Sequence, residues 1–384
     1  MRILHLGDLH LGRLLYNVSL LDEQKYVLDQ ALQIVQEQNI DLVIIAGDVF
    51  DKKHPAQKAL HLYNDWLTQC LQFCPVVAIA GNHDNAAFME YGKALFANNQ
   101  YYVAGVVEPQ IEKVRFMDEY GPVNVYLLPF YYPHDLKQIF PDADFEDEVA
   151  AFQFLLAKQQ LDLTERNVLV MHAYVTGHEQ QAPVESDSEM KSIGLKEELP
   201  FTVFADFDYV ALGHLHTNQQ VGRREVRYAG TPYPYSFSES KRKYFTVLDL
   251  QAKGQEILLE RIPVKFQKNL RVLQGPFIEL LTEAEQLAAQ KQPQMDDYIS
   301  VELVDNGIIR PVDKLKQYYP NLLHVQQAPV EFREESQQLI TEVEQVDPLQ
   351  LFKKYYESLK DETLTTEQED LVAELLKEST GDDV

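Results

Sequence analysis

Five short apolar runs, each ending in a cluster of metal-ligand residue types, constrain this chain more than any other feature. Ile3–Leu6 leads into Gly7-Asp8-Leu9-His10, and Leu42–Ala46 into Gly47-Asp48-Val49-Phe50-Asp51. Val76–Ala80 leads into Gly81-Asn82-His83-Asp84, Val168–Met171 into His172-Ala173, and Tyr209–Leu212 into Gly213-His214-Leu215-His216. Each run is short and apolar with a polar boundary, the pattern of a buried strand. Between the first two runs, Val27, Leu28, Ala31, Leu32 and Val35 recur at helical spacing. Between the next two, Ala59, Leu60, Tyr63, Trp66, Leu67 and Cys70 do the same. Alternating strands and helices predict an α/β layered domain. In such a domain sites gather beyond the carboxyl ends of the strands, so clusters far apart in sequence are expected to converge.

The donor types specify the chemistry. Carboxylate oxygen mixed with imidazole nitrogen suits Mn²⁺, Fe or Zn²⁺ better than Mg²⁺ or Ca²⁺, which favour all-oxygen shells. The candidates are Asp8, His10, Asp48, Asn82, His172, His214 and His216. That is too many donors for one catalytic metal with an open position, and it suits two metals sharing a bridging carboxylate. Two metals roughly 3.5–4 Å apart clamp the attacking and leaving oxygens of a phosphoryl transfer and acidify a water between them. A lone Gly-Asp pair or a lone His is usually structural; the joint, ordered occurrence carries the inference. His5 sits inside a strand run and reads as core, and His54, His61, His134, His178 and His324 have no motif around them.

The ordered set resembles the calcineurin-like metallophosphoesterases. That resemblance implies a four-layer β-sandwich flanked by helices, and two divalent ions per chain, with Mn²⁺ expected. Asp8, His10, Asp48 and His216 would hold one metal; Asp48 as the bridge, Asn82, His172 and His214 would hold the other. His83 would face the scissile phosphate as a general acid. Asp51 and Asp84 are both candidates for orienting it. Met1–Gly12, Ser186-Asp187-Ser188-Glu189, Phe207–His214, Arg227–Pro232 and Asp347-Pro348-Leu349 further resemble the SbcD family. Gly7 and Leu9 stand where Ser and Trp are more usual there. This implies an ATP-dependent 3′–5′ double-strand exonuclease and single-strand or hairpin endonuclease, working in DNA repair and recombination. Its partner would be an SbcC-like coiled-coil ATPase, in a heterotetramer built on a homodimer. The helices after the second and third clusters would form the dimer contact. The rival readings are a phosphodiesterase or phosphatase acting on a non-DNA phosphoester, and a scaffold with a structural metal site. Protein phosphatases typically carry Arg after the second cluster and Glu after Asn-His; Lys52 and Asp84 occupy those places.

The formal net charge of −26 runs against a nucleic-acid partner, because phosphate binders usually carry a basic face. The charge is uneven. From Glu331 to Val384 there are 16 acidic and 5 basic residues, whereas from Val221 to Lys243 there are 6 basic and 2 acidic. Arg223, Arg224, Arg227, Lys241, Arg242 and Lys243 directly follow the last cluster and are expected to meet the DNA backbone; the bland alternative is a solvated hairpin face. No apolar run is long enough to span a bilayer, and Met1-Arg2 leads straight into the first strand run, so a cytoplasmic location is expected. Cys70 and Cys74 read as small buried hydrophobes.

Three domains are expected: a nuclease domain over 1–268, a small α+β capping domain over 269–330, and a tail over 331–384. Residues 175 to 200 read as an exposed loop. Arg227–Ala229, Tyr244–Leu248 and Gln255–Arg261 lack helices between them and predict an antiparallel sheet closing the first domain. In the second, Arg271–Gln274, Phe277–Leu287, Tyr298–Val304, Val312–Tyr319 and Leu322–Val325 read as βαβαβ. The tail reads as an acidic linker followed by two amphipathic helices, the second opened by a Thr366–Glu369 capping box. Leu349, Phe352, Tyr356, Leu359, Leu371 and Leu375 form their apolar stripes and are candidates for gripping the ATPase. Packing back on the same chain is the alternative.

Overall fold

Strands that are apolar at every position must be covered on both faces. The computed structural model meets that demand with two stacked sheets between layers of helix. It describes residues 1–143, 145, 147–178, 182–186, 198–290 and 292–327. Of the tail it describes 349, 352–353, 356, 364–366, 368–369 and 371–373. The chain divides into two compact units, Met1–Gln326 and Gln327–Val384.

The five expected strands are present as Arg2–Leu6 (β1), Leu42–Ala46 (β2), Val76–Ile79 (β3), Arg166–His172 (β4) and Tyr209–Gly213 (β5). In β2, Val43 and Ile45 point to one core and Leu42, Ile44 and Ala46 to another. The first core contains Val27, Leu28, Ala31 and Val35 of helix α1 (Leu21–Glu37), and Ala59, Tyr63, Trp66 and Cys70 of helix α2 (Gln57–Cys70). The second core lies between the sheets, where Val168, Val170, Tyr209 and Ala211 meet β2. Leu169, Met171, Val210 and Leu212 turn the other way, against Ala151, Phe152 and Leu155 of the helix Glu148–Ala157. Each Leu, Ile or Val so buried contributes roughly 1.5–3 kcal/mol.

The first sheet has the order Leu258–Pro263, Tyr244–Asp249, β1, β2, β3, Tyr101–Ala104. The second has the order Gln219–Val221, Arg223–Tyr228, β5, β4, Gly121–Leu128, Glu112–Asp118. β1, β2 and β3 run parallel, and β4 runs parallel to β5 with His172 opposite Gly213. Within each sheet the ligand-bearing ends therefore share one rim.

The expected antiparallel closure forms only in part. Arg223–Tyr228 joins the second sheet parallel to β5, whereas Tyr244–Asp249 and Leu258–Pro263 join the first sheet antiparallel. A strand's own residues give its period but not the sheet edge that it meets. The sequence reading also missed the hairpin Glu112–Asp118 and Gly121–Leu128, whose buried strand packs against β4.

This hairpin carries one end of a part-buried ion pair. Arg166, 2% exposed, forms a fork on both oxygens of Asp118 and also donates to the carbonyls of Gly121 and Leu250. Asp118→Asn removes the counter-charge and leaves the guanidinium with neutral acceptors only, so it is expected to cost about 1.5–3 kcal/mol, read as a lower unfolding midpoint. Burial alone would raise the Asp118 carboxyl, but Arg166 and the Met1 amino group outweigh it and hold it well below 3.8. A depressed folded value stabilises the fold at pH above the unfolded value, and that share is lost as pH falls below about 4. The midpoint of the variant is therefore expected to fall less steeply with acid than that of the native chain.

A third sheet, Leu270–Gly275, Tyr298–Leu303 and Leu322–Gln327, carries the helix Phe277–Ala289. Phe277, Leu280, Ala284, Ile299, Val301, Leu315 and Tyr319 make its separate core. The expected Val312–Tyr319 helix is only Pro311–Leu315; Pro320 disfavours helix at the residue before it.

In the second unit, residues 349, 352–353, 356, 366, 368–369 and 371–373 are helical. Phe352 and Leu371 are exposed, and Leu349 and Tyr356 are half-buried. The cap lies one residue before the expected one: Thr365 Oγ1 accepts from Gln368 N at 3.4 Å, and Gln368 Oε1 accepts from Thr365 N at 3.0 Å. Leu359, Leu375, the 331–347 linker, and Asp187, Ser188 and Glu189 lie outside the described residues. Among the described residues no helix is long and apolar enough to cross a membrane.

Candidate metal centre

The backbone at the strand ends is unusual in one respect. Asp8, His10, Asp48 and His214 all have positive φ, from 43° to 106°. Side-chain-bearing residues enter this region at a cost of about 1–2 kcal/mol each, and such strain collects at functional sites. Two glycines let the strand ends close up. A Cβ on Gly81 would lie 2.2 Å from Asp48 Oδ1, and one on Gly213 would lie 1.8 Å from the Ala46 carbonyl.

The turns bring all seven expected donors together. His10 Nε2 and His216 Nε2 are 3.2 Å apart. Asp48 Oδ2 lies 3.5 Å from His10 Nε2 and 3.5 Å from His172 Nε2. Asn82 Oδ1 is 2.9 Å from His172 Nε2 and 3.4 Å from His214 Nδ1. Asp8 Oδ1 accepts from His214 N at 2.8 Å. Two donors about 2.1 Å from one ion stand roughly 3–3.5 Å apart at ordinary ligand angles. The facing nitrogens and the shared Asp48 oxygen have this spacing. Ligand atoms of Asp8, His10 and His216 cluster within 4.8 Å of one another, as do those of Asp8, Asp48 and His172. His10, Asp48 and His83 form a third such group, so distance alone does not separate His83 from the ligands.

The electrostatics fit cations. Burial lowers the basicity of His10, His172 and His214, with neighbouring histidines adding to the effect; His172 falls to about 3. These rings are neutral at physiological pH and keep a lone pair to donate. Burial also pushes the carboxyls of Asp48 and Asp84 up, and the Asp48 charge adds to the rise at Asp84. Bound divalent cations reverse that pressure and favour the ionised carboxylate. The donor set therefore fits a pair of divalent metals around Asp48.

Hydrogen bonds set the rings. A carbonyl only accepts, so His172 Nδ1 donates to Ala46 O at 2.9 Å and turns its Nε2 lone pair inward. His83 Nδ1 donates to the Asp51 main-chain carbonyl at 3.0 Å, which leaves Nε2 as its remaining nitrogen. Its amide donates to Asp48 Oδ1 at 2.8 Å and fixes that carboxylate. Neither carboxylate suggested for orienting His83 touches its ring. The Asp51 carboxylate accepts from Arg13 Nη1 at 2.7 Å instead. Asp84 accepts from the amides of Val49, Phe50 and Gly81, at 3.1, 2.9 and 3.0 Å, and so ties the second cluster to the third.

The basic stretch does not form one face. Lys243 is buried, and its ammonium donates to Glu239, Thr231 and the His216 carbonyl. Arg227 is buried as well. Arg223 donates to the Phe204 and Phe207 carbonyls, and Arg224 pairs with Glu256. Only Lys241 and Arg242 of the six are exposed.

Sequence reading passed over Glu239. This buried carboxylate lies 3.1 Å from His216 Nδ1 and accepts from Tyr235 N and Thr231 Oγ1, each at 3.1 Å. Only its i,i+4 spacing to Lys243 offered a signal. Gln24 and Tyr235 were missed too; both hold the first cluster's backbone, at the carbonyls of Leu9 and His10.

A family model described as calcineurin-like phosphoesterase matches residues 1–218. The chain belongs to the calcineurin-like phosphoesterase family, in its SbcD branch. The D subunit of the nuclease SbcCD from Staphylococcus epidermidis is 30% identical over 98% of this chain and 98% of its own. The protein of the same name from Staphylococcus saprophyticus is 28% identical over 99% of this chain and 100% of its own. Residues 267–359 match a second model, described as type 5 capsule protein repressor C-terminal domain. Among solved structures, TT1561 of Thermus thermophilus aligns over 68% of this chain and 98% of its own, at 12% identity and a TM-score of 0.42.

Proposed function

We propose that this chain is the nuclease component of a DNA end-processing complex and cleaves phosphodiesters at a two-metal site. The observation that carries the proposal is Asp48, one oxygen of which stands equally far from the His10 and His172 nitrogens. Asp8, His10, Asp48 and His216 would hold one ion, and Asp48, Asn82, His172 and His214 would hold the other. When bound, two divalent ions, Mn²⁺ in this proposal, polarise the phosphodiester and acidify the attacking water. His83, fixed through Nδ1, presents Nε2 to protonate the leaving oxygen. Lys241 and Arg242 meet the DNA backbone, and the third sheet caps the DNA. The exposed Phe88, Tyr91, Leu95 and Phe96 support a homodimer contact at the helices Ala86–Glu90 and Lys93–Ala97 and the turn between them. The exposed Phe352 and Leu371 support docking of the tail on a coiled-coil ATPase like the SbcC of the relatives' complex, in the cytoplasm.

The test is cleavage of linear duplex and hairpin DNA by the full chain with its ATPase, ATP and Mn²⁺. Loss of duplex ends from 3′ to 5′ and nicking of hairpins are expected, both abolished by a chelator. Turnover of nitrophenyl phosphodiesters with DNA left intact would instead assign a non-DNA phosphoester. No turnover of any phosphoester would make the metal site structural.

A further inference from the structure

The two halves of the metal centre are backed by different chemistry. On one side His172 Nδ1 donates to a neutral acceptor, the Ala46 carbonyl. On the other His216 Nδ1 faces a buried carboxylate, Glu239, at 3.1 Å. A charged acceptor behind an imidazole strengthens the hydrogen bond and makes the opposite nitrogen a better donor to a metal. Glu239 is itself held on every side, by Tyr235 N, Thr231 Oγ1 and Lys243 Nζ, the last at 2.5 Å. Lys243 also donates to the His216 carbonyl at 3.0 Å, so the same ammonium steadies both the histidine and its carboxylate. A buried Glu–Lys pair is a costly way to stabilise a fold, since apolar residues of similar volume often do as well. Here one oxygen of the pair and its nitrogen both reach the same candidate ligand, Glu239 Oε1 at the His216 ring and Lys243 Nζ at its carbonyl.

We infer that Glu239, held by Lys243, is a positioning residue that makes the His10–His216 half the tighter of the two metal sites and the first to fill. Ions would then load in order, the Asn82–His172–His214 half second. The inference rests on the two-metal reading above but not on the substrate, so metal titration without DNA tests it separately.

The experiment uses the full chain with ¹⁵N-labelled histidines and diamagnetic Zn²⁺ below one equivalent. Coordination shifts of the ring nitrogens are expected at His10 and His216 before His172 and His214, because a diamagnetic ion perturbs chiefly the rings that it touches. Isothermal titration is expected to show two steps. Glu239→Gln keeps the acceptor oxygen and removes the charge. It is expected to weaken the tight step about 10–100-fold while leaving the weak step in place. Shifts at His172 and His214 first, or at all four together, would overturn the inference even if DNA is cleaved. So would equal weakening of both steps in Glu239→Gln, which marks a general structural role. If Glu239→Gln does not fold, the order of the shifts in the native chain still decides. Failure of any Zn²⁺ to bind would remove the two-metal reading and this inference together.

Discussion

Replacing Asp48 with alanine is expected to abolish binding of both metals and to take phosphodiester cleavage down further than the roughly 10²–10³-fold lost with a single transition-state donor. The reason is position. One Asp48 oxygen faces His10 and His172, and the other accepts the His83 amide. Asp8 also clusters with His10 and with His172, but it lies 4.0 Å from His172 Nδ1, whereas Asp48 Oδ2 lies 3.5 Å from the Nε2 of both rings. Deleting it takes a ligand from each half and frees the loop that carries His83. The fold itself is expected to survive without metal, because burial raises the Asp48 carboxyl and makes its charge a cost to the metal-free protein. Calorimetric titration with Mn²⁺ and a thermal melt separate the outcomes. Near-native affinity for two ions in Asp48→Ala would contradict the bridging role.

The convergence of the candidate donors was legible because their signal is carried by residue type and place together. A buried strand in this architecture is apolar at every position, as β2 is from Leu42 to Ala46. Its end is then plain, and the polar residues past it stand out. Side-chain direction was not legible. Asp84 belongs to the third cluster by sequence, yet its carboxylate turns back onto three amides. Lys243 looked like one more surface cation, yet it is buried because Glu239 lies one helical turn's spacing before it and compensates its charge. Charge counts along a chain do not distinguish a solvated lysine from a paired one. Sheet assignment failed for a related reason. Arg223–Tyr228 and Tyr244–Asp249 have similar patterns but join different sheets, and the choice depends on partners far away in sequence.

His83→Ala should behave in the opposite way to Asp48→Ala, and the contrast isolates chemistry from binding. Both metals and the affinity for DNA are expected to remain, while the cleavage rate falls about 10²–10⁴-fold, the range for a lost general acid. The structure gives His83 two separable parts. Its amide serves Asp48, and the alanine variant keeps that bond. Its ring, anchored through Nδ1 on the Asp51 carbonyl, is what the variant removes. His10 stands edge-on to that ring at 4.7 Å, so His83 is close enough to the metal centre for its proximity to the ligands to admit the other assignment. Titration with Mn²⁺ decides between them. A lost or weakened metal in His83→Ala would place the ring among the ligands. A substrate with an acidic leaving group adds a second criterion, because it needs no protonation. Such a substrate should recover most of its rate in His83→Ala, whereas a variant that has lost metal would be slow with both.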